Sequence, residues 1–395
     1  MSATNQPQTA ADRVLLDSAS GLPLQPAARE VLDAALSHGW ADPLRHHHEG
    51  RQARLLVDNA REVVATLVGA RPDEVSFVSS GTMACQLGVL GLRLGRRRVG
   101  TTVVHSAVEH SAVITAAHWA CDDEDPSSQS VPVDQVGRID LAAWEAAVSS
   151  PGVAVSCLQA ANHEVGTRQP VAAAYDVCRT HTVPLVVDAS AALGWVDPPE
   201  SWDVLAASAH KWGGPAGVGL LAVRKGVRWR APWPGDEREP TQAGYLNIPG
   251  VLAAAAALQS LEAGRRAAAD RMHALTSDLR ARLATSVPDV DLAGDPDDRV
   301  PHIVNASFLY VDGEALVTEL DRAGFAVSSG SACTASTLEP SHVLAAMGVL
   351  THGNVRISIS PGTTAEELDR FATMLAAIVT RLRNSTGVNQ RSADG

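Results

Sequence analysis

The sequence predicts an α/β fold, a mostly parallel sheet flanked by helices, joined to a smaller α+β unit. Three observations predict it. Short β-rich runs alternate with helical patterns from about residue 60 to 225, which is how a parallel sheet covered on both faces is written. A long Ala/Leu/Arg-rich helical stretch, residues 251–286, then carries the chain out of that region. Beyond it, "IVNASFLYV" reads as a strand and "GEALVTELDRAG" as a helix of the smaller unit.

The elements follow in order. "EVSFV" is a strand ending in "SSGT", with a helical stretch from Met83. "GTTVV" is a strand followed by the helical pattern "HSAVEHSAVITAAHWA". "GVAVSCLQ" is a strand ending at "ANHEVG", and "PLVVDAS" one that ends at Asp188. "VLAASAHKWGG" leads to Lys211, and "GVGLLAVR" is a further strand. The 251–286 stretch carries one interruption, "EAG". The expected division is a lead of residues 1–13, disordered, and a large unit over 14–260 whose first segment packs on the small one. The small unit covers 261–384, and a disordered tail covers 385–395. No internal repeat is visible.

Composition narrows the function classes. Hydrophobic residues make up 45% of the 395 residues and aromatics only 4%, so Ala, Val and Leu fill most of a large core. A formal net charge of −12 argues against a nucleic-acid phosphate binder, which needs a basic face. No apolar run reaches the eighteen or so residues of a membrane span. The five scattered cysteines form no C-x-x-C pair, so a zinc site or redox pair is not expected, and a reduced, cytoplasmic protein is. Cys85, Cys157 and Cys178 lie in periodic apolar stretches and read as core residues, while Cys121 heads the acidic run "CDDEDP". The three adjacent histidines His46 to His48 do not share a face and do not read as a metal site.

Only two of the 32 basic residues are lysines, Lys211 and Lys225. A lysine kept in such a chain points to amine chemistry that a guanidinium cannot perform. Lys211 stands in "SAHKWGGP", at a strand end, where a lysine can form a Schiff base with a carbonyl cofactor. Ser208 and His210 beside it, and the "SSGT" turn with its backbone N–H groups, suit a phosphate. Asp188, at the end of the preceding strand, suits a protonated pyridine nitrogen, since opposite charges favour each other's ionised forms. His110 in "VEHSAV" suits ring stacking or proton transfer, although alone it reads more readily as a hydrogen-bonded structural histidine. Ligands of parallel sheets bind beyond the carboxyl ends of the strands. Gly81, His110, His163, Asp188 and Lys211 all follow strand ends and are therefore expected to converge.

With these residues in place, the chain resembles the pyridoxal-phosphate (PLP) enzymes of fold type I, class V aminotransferase group, and within it the longer-loop cysteine desulfurases of iron–sulfur assembly. The resemblance runs from "LLDSASGLPLQP" to "VRISISPGTTAEELDRF" and is most specific in "SAHKWGGPAGVG", "IVNASFLYVDGEAL" and "VSSGSACTASTLEPSHVLAAMGV". It implies that Lys211 is the Schiff-base lysine, Asp188 the pyridinium partner and His110 the ring-stacking proton carrier. Gly81, Thr82, Met83, Ser208 and His210 would surround the phosphate, with His163 at the ring oxygen. Arg356 would take the substrate carboxylate. Cys333, in the small-residue loop 328–337, would take the sulfur of L-cysteine, leaving alanine. A sulfur-acceptor protein or small molecule and a homodimer are implied as partners.

The chain departs from the family at several positions. His163 stands where the family has Asn, Ala191 where it has Gln, and Met83 where it has Thr. The family's "RSGT" is "QAGY" here, Gln242 to Tyr245, and the Gly-rich stretch before it is "WPGDER". The residues on the lysine, the pyridine nitrogen and the thiol are kept, while those around the phosphate and ring oxygen are altered. These departures leave three readings besides an ordinary desulfurase: one dedicated to a single sulfur-incorporation pathway, a C–S lyase or aminotransferase-like enzyme, and a PLP-free scaffold that binds a sulfur carrier.

Overall fold

The computed structural model describes residues 13–38, 40–119, 128–233, 241, 244–329 and 340–385. Cys121, Gln242 and Cys333 lie outside them. The chain opens with β1 (Val14–Leu15), α1 (Pro26–His38), α2 (His48–Val68), β2 (Val75–Val78) and α3 (Gly81–Gly95). Next come β3 (Thr102–Ser106), α4 (Ser111–Trp119), β4 (Ser128–Val131), α5 (Leu141–Val148), β5 (Val153–Gln159) and α6 (Val171–Thr180). β6 (Leu185–Asp188), β7 (Val204–Ser208) and β8 (Gly219–Val223) complete the first sheet, and α7 (Ile248–Ser286) leaves it. Then follow β9 (Val290–Ala293), β10 (Ile303–Phe308), α8 (Gly313–Arg322), β11 (Phe325–Ala326), α9 (His342–Met347), β12 (Asn354–Ser358) and α10 (Ala365–Ser385).

The seven-stranded sheet has the order β2-β8-β7-β6-β5-β3-β4. β8 pairs antiparallel with both β2 and β7, while β7, β6, β5, β3 and β4 pair in parallel. Successive side chains of a strand point to opposite faces, and here both faces are dry. Val186, Val204 and Ala206 pack with α3 and α4. Val187, Leu205 and Ala207 pack with α2, α5, α6 and the first half of α7. This is why the central strands read as continuous apolar runs rather than alternating ones. The polar edge strand β4, "SQSV", has no such run and was not visible in the sequence.

The second core surrounds an antiparallel sheet of order β12-β10-β9 and draws on the second half of α7 and on α10. The chain's N-terminal segment crosses to this core, where β1 pairs in parallel with β11. α7 joins the two cores and runs unbroken through the "EAG" at which an interruption was expected. Gly264 there faces open space, and a lone helical glycine costs only about 1 kcal/mol. Arg265 compensates by pairing along the helix with Glu262 at 2.7 Å and across to Asp197.

Two helix starts also differ from the expected pattern. α3 begins at Gly81, two residues before Met83, because the Ser80 hydroxyl caps it by accepting from Met83 N–H. α4 begins only at Ser111, because the His110 ring accepts from Ala112 N–H and ends the preceding turn.

Candidate active site

The carboxyl ends of the parallel strands and the second core enclose a cavity of about 260 Å³. Gly81, Thr82, His110, His163, Asp188, Ser208, His210, Lys211 and Arg356 all line it. Met83 does not. It is one helical step past Thr82, so its side chain turns to a separate cavity with Phe77, Trp233 and Tyr245, and its N–H is taken by Ser80. Cys333 and Gln242 fall outside the described residues.

Each strand end delivers its residue for a local reason. β7 runs straight into Ser208, and a short 3-10 turn over Ala209–Trp212 swings Lys211 over the edge. Gly213 ends that turn at φ 77, where a side chain would be strained and would meet Gln25. Gly81 is required for a different reason. A Cβ there would lie 2.5 Å from Ser208 Cβ, so only glycine lets the α3 N-terminus close on β7. The first N–H groups of α3 precede its first internal bond, Ala84 N–H to Ser80 C=O, and so face the cavity as donors. The Ser208 hydroxyl and His210 Nδ1 lie 2.9 Å apart beside them.

Asp188, 7% exposed, ends β6 with one carboxylate oxygen held by Ser190 N–H at 2.9 Å. Behind it sits Cys85, whose thiol burial pushes well up, with Asp188 adding to the effect. Cys157 is likewise raised by burial, and Cys178 is raised to about 11. None of these three buried thiols is a thiolate at neutral pH, so none can serve as a nucleophile. Glu109 is fully buried beside His110. Burial lifts its carboxyl to about 8, against the pull of its bond to Gln159 N–H.

The histidines of the cavity are neutral. His110 and His163 meet edge to face with ring centres 5.0 Å apart. Burial lowers both, and for His163 the neighbouring Arg356 and Lys211 charges lower it further. His210 is brought to about 4 by burial and by Lys211. His163 has both ring nitrogens buried with no hydrogen-bond partner among the described residues. Its Nε2 lies 3.7 Å from a Glu164 carboxylate oxygen, beyond hydrogen-bond reach.

The opposite wall comes from elsewhere in the chain. Arg356, 3% exposed, sits on β12 and donates from Nη1 to the His163 carbonyl at 3.0 Å. Its Nη2 donates to Asp17 at 3.0 Å and to the Ser20 hydroxyl at 2.7 Å. Lys211 Nζ donates to the carbonyls of Ala19 at 2.5 Å and Ser20 at 3.2 Å. The segment from Asp17 to Ser20 therefore straps the lysine and the arginine together. Trp195 and His302 complete this wall. Their rings stack at 4.0 Å and 21°, and the Trp195 indole N–H donates to the Lys211 carbonyl. Sequence reasoning missed Asp17, Ser20, Trp195 and His302. The one signal for Asp17 was an acid directly after the apolar run "VLL".

These residues fit pyridoxal phosphate. A helix N-terminus, Thr82, Ser208 and His210 offer donors for a phosphate. A buried carboxylate, an amine and an unpartnered imidazole stand around the same cavity, and Gly81 leaves no side chain in the way.

Comparison with known proteins agrees with this site. The profile of the class-V aminotransferase family matches residues 14–371. A cysteine desulfurase named IscS from Dictyoglomus turgidum is 31% identical over 384 residues, covering 95% of this chain and 97% of its own. A cysteine desulfurase of Cereibacter sphaeroides is 36% identical over 383 residues, covering 94% of this chain and 97% of its own. A solved NifS-like protein superposes with a TM-score of 0.86 at 28% identity, covering 94% of this chain and all of that one. The chain belongs to the class-V aminotransferase family, in its group of cysteine desulfurases.

Proposed function

We propose that the protein is a PLP-dependent cysteine desulfurase that moves the sulfur of L-cysteine onto Cys333 and releases alanine. The observation that carries this reading is the meeting of Lys211, Asp188, His110 and Arg356 in one cavity. Gly81, Thr82, Ser208 and His210 would hold the phosphate, Asp188 the pyridine nitrogen, and His163 a ring substituent. When bound, PLP supplies an aldehyde for amines and a ring that draws electrons away from the substrate α-carbon.

The chain's residues account for the rest. Arg356 pairs with the substrate carboxylate, a match of guanidinium to carboxylate. Lys211, a primary amine held by two carbonyls, would hold the cofactor through its aldehyde and would carry the substrate α-proton. His110 is uncharged, so it can accept a proton and pass it on within the cavity. The Cys333 thiolate attacks the substrate sulfur. The electrons of the breaking carbon–sulfur bond stay with the substrate β-carbon, which takes a proton, and the α-carbon takes back the proton it lost, so that alanine is left and Cys333 keeps the sulfur as a persulfide. A sulfur-acceptor protein or small molecule then receives it. We further place the active form as a homodimer in the cytoplasm. No helix among the described residues is long and apolar enough to cross a membrane.

The test is to incubate the protein with L-cysteine and PLP, following alanine and sulfide while mapping sulfane sulfur by peptide. The expected result is alanine with sulfane sulfur on Cys333, and loss of both in Cys333→Ser with PLP still bound. Sulfide released at an undiminished rate by Cys333→Ser would replace this reading with a C–S lyase.

A further inference from the structure

α9 opens with His342 after its cap Ser341, and neither residue lines the cavity. Each nevertheless bonds to the chain neighbour of a cavity histidine. His342 Nε2 lies 2.9 Å from the Glu109 carbonyl, and Glu109 directly precedes His110. A carbonyl oxygen only accepts, so this nitrogen carries the imidazole proton and donates it. The hydroxyl of Ser341, a residue 3% exposed, donates to a Glu164 carboxylate oxygen at 2.6 Å, and Glu164 directly follows His163. The same hydroxyl accepts from Leu344 N–H at 3.2 Å, which ties the Glu164 bond to the start of the helix.

Apolar packing repeats the pattern. Val108 precedes Glu109 and Val165 follows Glu164, and both share one buried cluster with Val343, Leu344 and Met347 of α9. α9 therefore meets both histidine-bearing turns, by a hydrogen bond to each and by a common apolar cluster. Asn162 links the turns to each other, donating from Nδ2 to the Val108 carbonyl at 3.1 Å. The rings the turns carry, His110 and His163, meet edge to face with centres 5.0 Å apart. A close-packed interior passes a shift of one element to its neighbours, so a displaced α9 displaces these rings.

We propose that Ser341 and His342 are positioning residues for the His110–His163 pair, with α9 as the brace that sets where the two rings stand in the cavity. The inference rests on the desulfurase reading for its effect on turnover, and adds to it two residues that lie outside the cavity.

The test compares wild type with His342→Phe, which keeps a flat ring but has no donor, and with His342→Gln, which keeps an N–H donor. Ser341→Ala removes the other tie and serves as the donor-free variant if His342→Phe does not fold. The first readout is the ring resonances of isotope-labelled histidines in the holoprotein, assigned with His110→Gln and His163→Asn. Those of His110 and His163 should shift in His342→Phe and Ser341→Ala, and stay near wild type in His342→Gln. The second readout is alanine formation from L-cysteine per bound cofactor. The kcat is expected to fall about tenfold in His342→Phe, the scale of one hydrogen bond. The KM should stay within about twofold, since Arg356 stands on the opposite wall. Adding His342→Phe to His110→Gln should lower kcat by less than about twofold, because members of one network do not act additively. Misfolding alone would lower kcat equally in both backgrounds. Unmoved His110 and His163 resonances in both donor-free variants, or an equal fall in kcat with and without His110, overturns the proposal. A wild-type protein that forms no alanine from cysteine overturns the desulfurase reading instead, and the histidine resonances still decide whether α9 is the brace.

Discussion

The two walls of the cavity are built on different principles. The wall with Gly81, His110, Asp188, Ser208, His210 and Lys211 stands on strand ends of one parallel sheet, and dry cores on both faces of that sheet hold it. The wall with Asp17, Ser20, His302 and Arg356 is gathered from opposite ends of the chain and held by polar contacts. Topology fixes the first wall, so changing one of its side chains should alter chemistry and leave the fold intact. A polar network fixes the second, so changing one member should loosen the structure as well.

The largest expected effect tests the first half of that contrast. Lys211→Ala should lower alanine formation by at least about a thousandfold, the scale of a lost positioned base, and abolish the absorbance of bound PLP. Its thermal midpoint without cofactor should stay close to wild type. A large fall in that midpoint would show that the strap's contacts to Lys211 are structural after all.

Glu109 probes the same wall from behind. Its folded pKa of about 8 lies above the ordinary value of 4.5, so the folded state holds the proton longer. Stability is therefore lost as pH rises from about 4.5 through about 8, with a slope of at most about 1.4 kcal/mol per pH unit. Glu109→Gln should remove that contribution and still accept from Gln159 N–H. Urea melts across this window should show the variant gaining on wild type as pH rises. A constant gap would mean that Glu109 is ionised in the folded protein.

The second wall is tested by Asp17→Asn. The Arg356–Asp17 pair is buried on the arginine side and about a quarter exposed on the aspartate side. Leaving a buried charge without its partner is destabilising, here by about 1–2 kcal/mol because water reaches Asp17. Urea melts at neutral pH should show this loss. No loss would place the Asp17 pairing among surface contacts of little weight.

The same contrast explains what could be read from the sequence. Asp188 and Lys211 were legible because each directly ends or follows an apolar run, and parallel strands bring their ends together. Cys85, Cys157 and Cys178 were legible as core residues by their periodic settings, and all three are buried. Met83 lines a different cavity from Thr82, because adjacency in sequence is not adjacency in space on a helix. Asp17 and Arg356 are 339 positions apart, and Trp195 and His302 meet only through two separate units. Nothing local marks such residues, and Ser, Asp and His are ordinary at turns. The "EAG" in α7 misled for a related reason, since the ion pair from Arg265 to Asp197 that supports the helix there spans 68 positions.

The pairing of β1 with β11 has a consequence for how the protein is made. Val14 N–H bonds to the Gly324 carbonyl, Ser18 to Ile359, and Asp17 bridges to Ser358. On the ribosome the N-terminal part of a chain emerges first. The segment from Val14 to Ser18 must therefore wait for these partners until more than three hundred further residues have been translated. Contacts of such sequence separation form late, because closing so long a loop costs entropy before any contact repays it. A nascent chain can thus complete the Lys211 sheet long before Arg356 exists. The finished cavity appears only when translation is nearly over, so an incomplete chain carries Lys211 without the Arg356 that lies across from it.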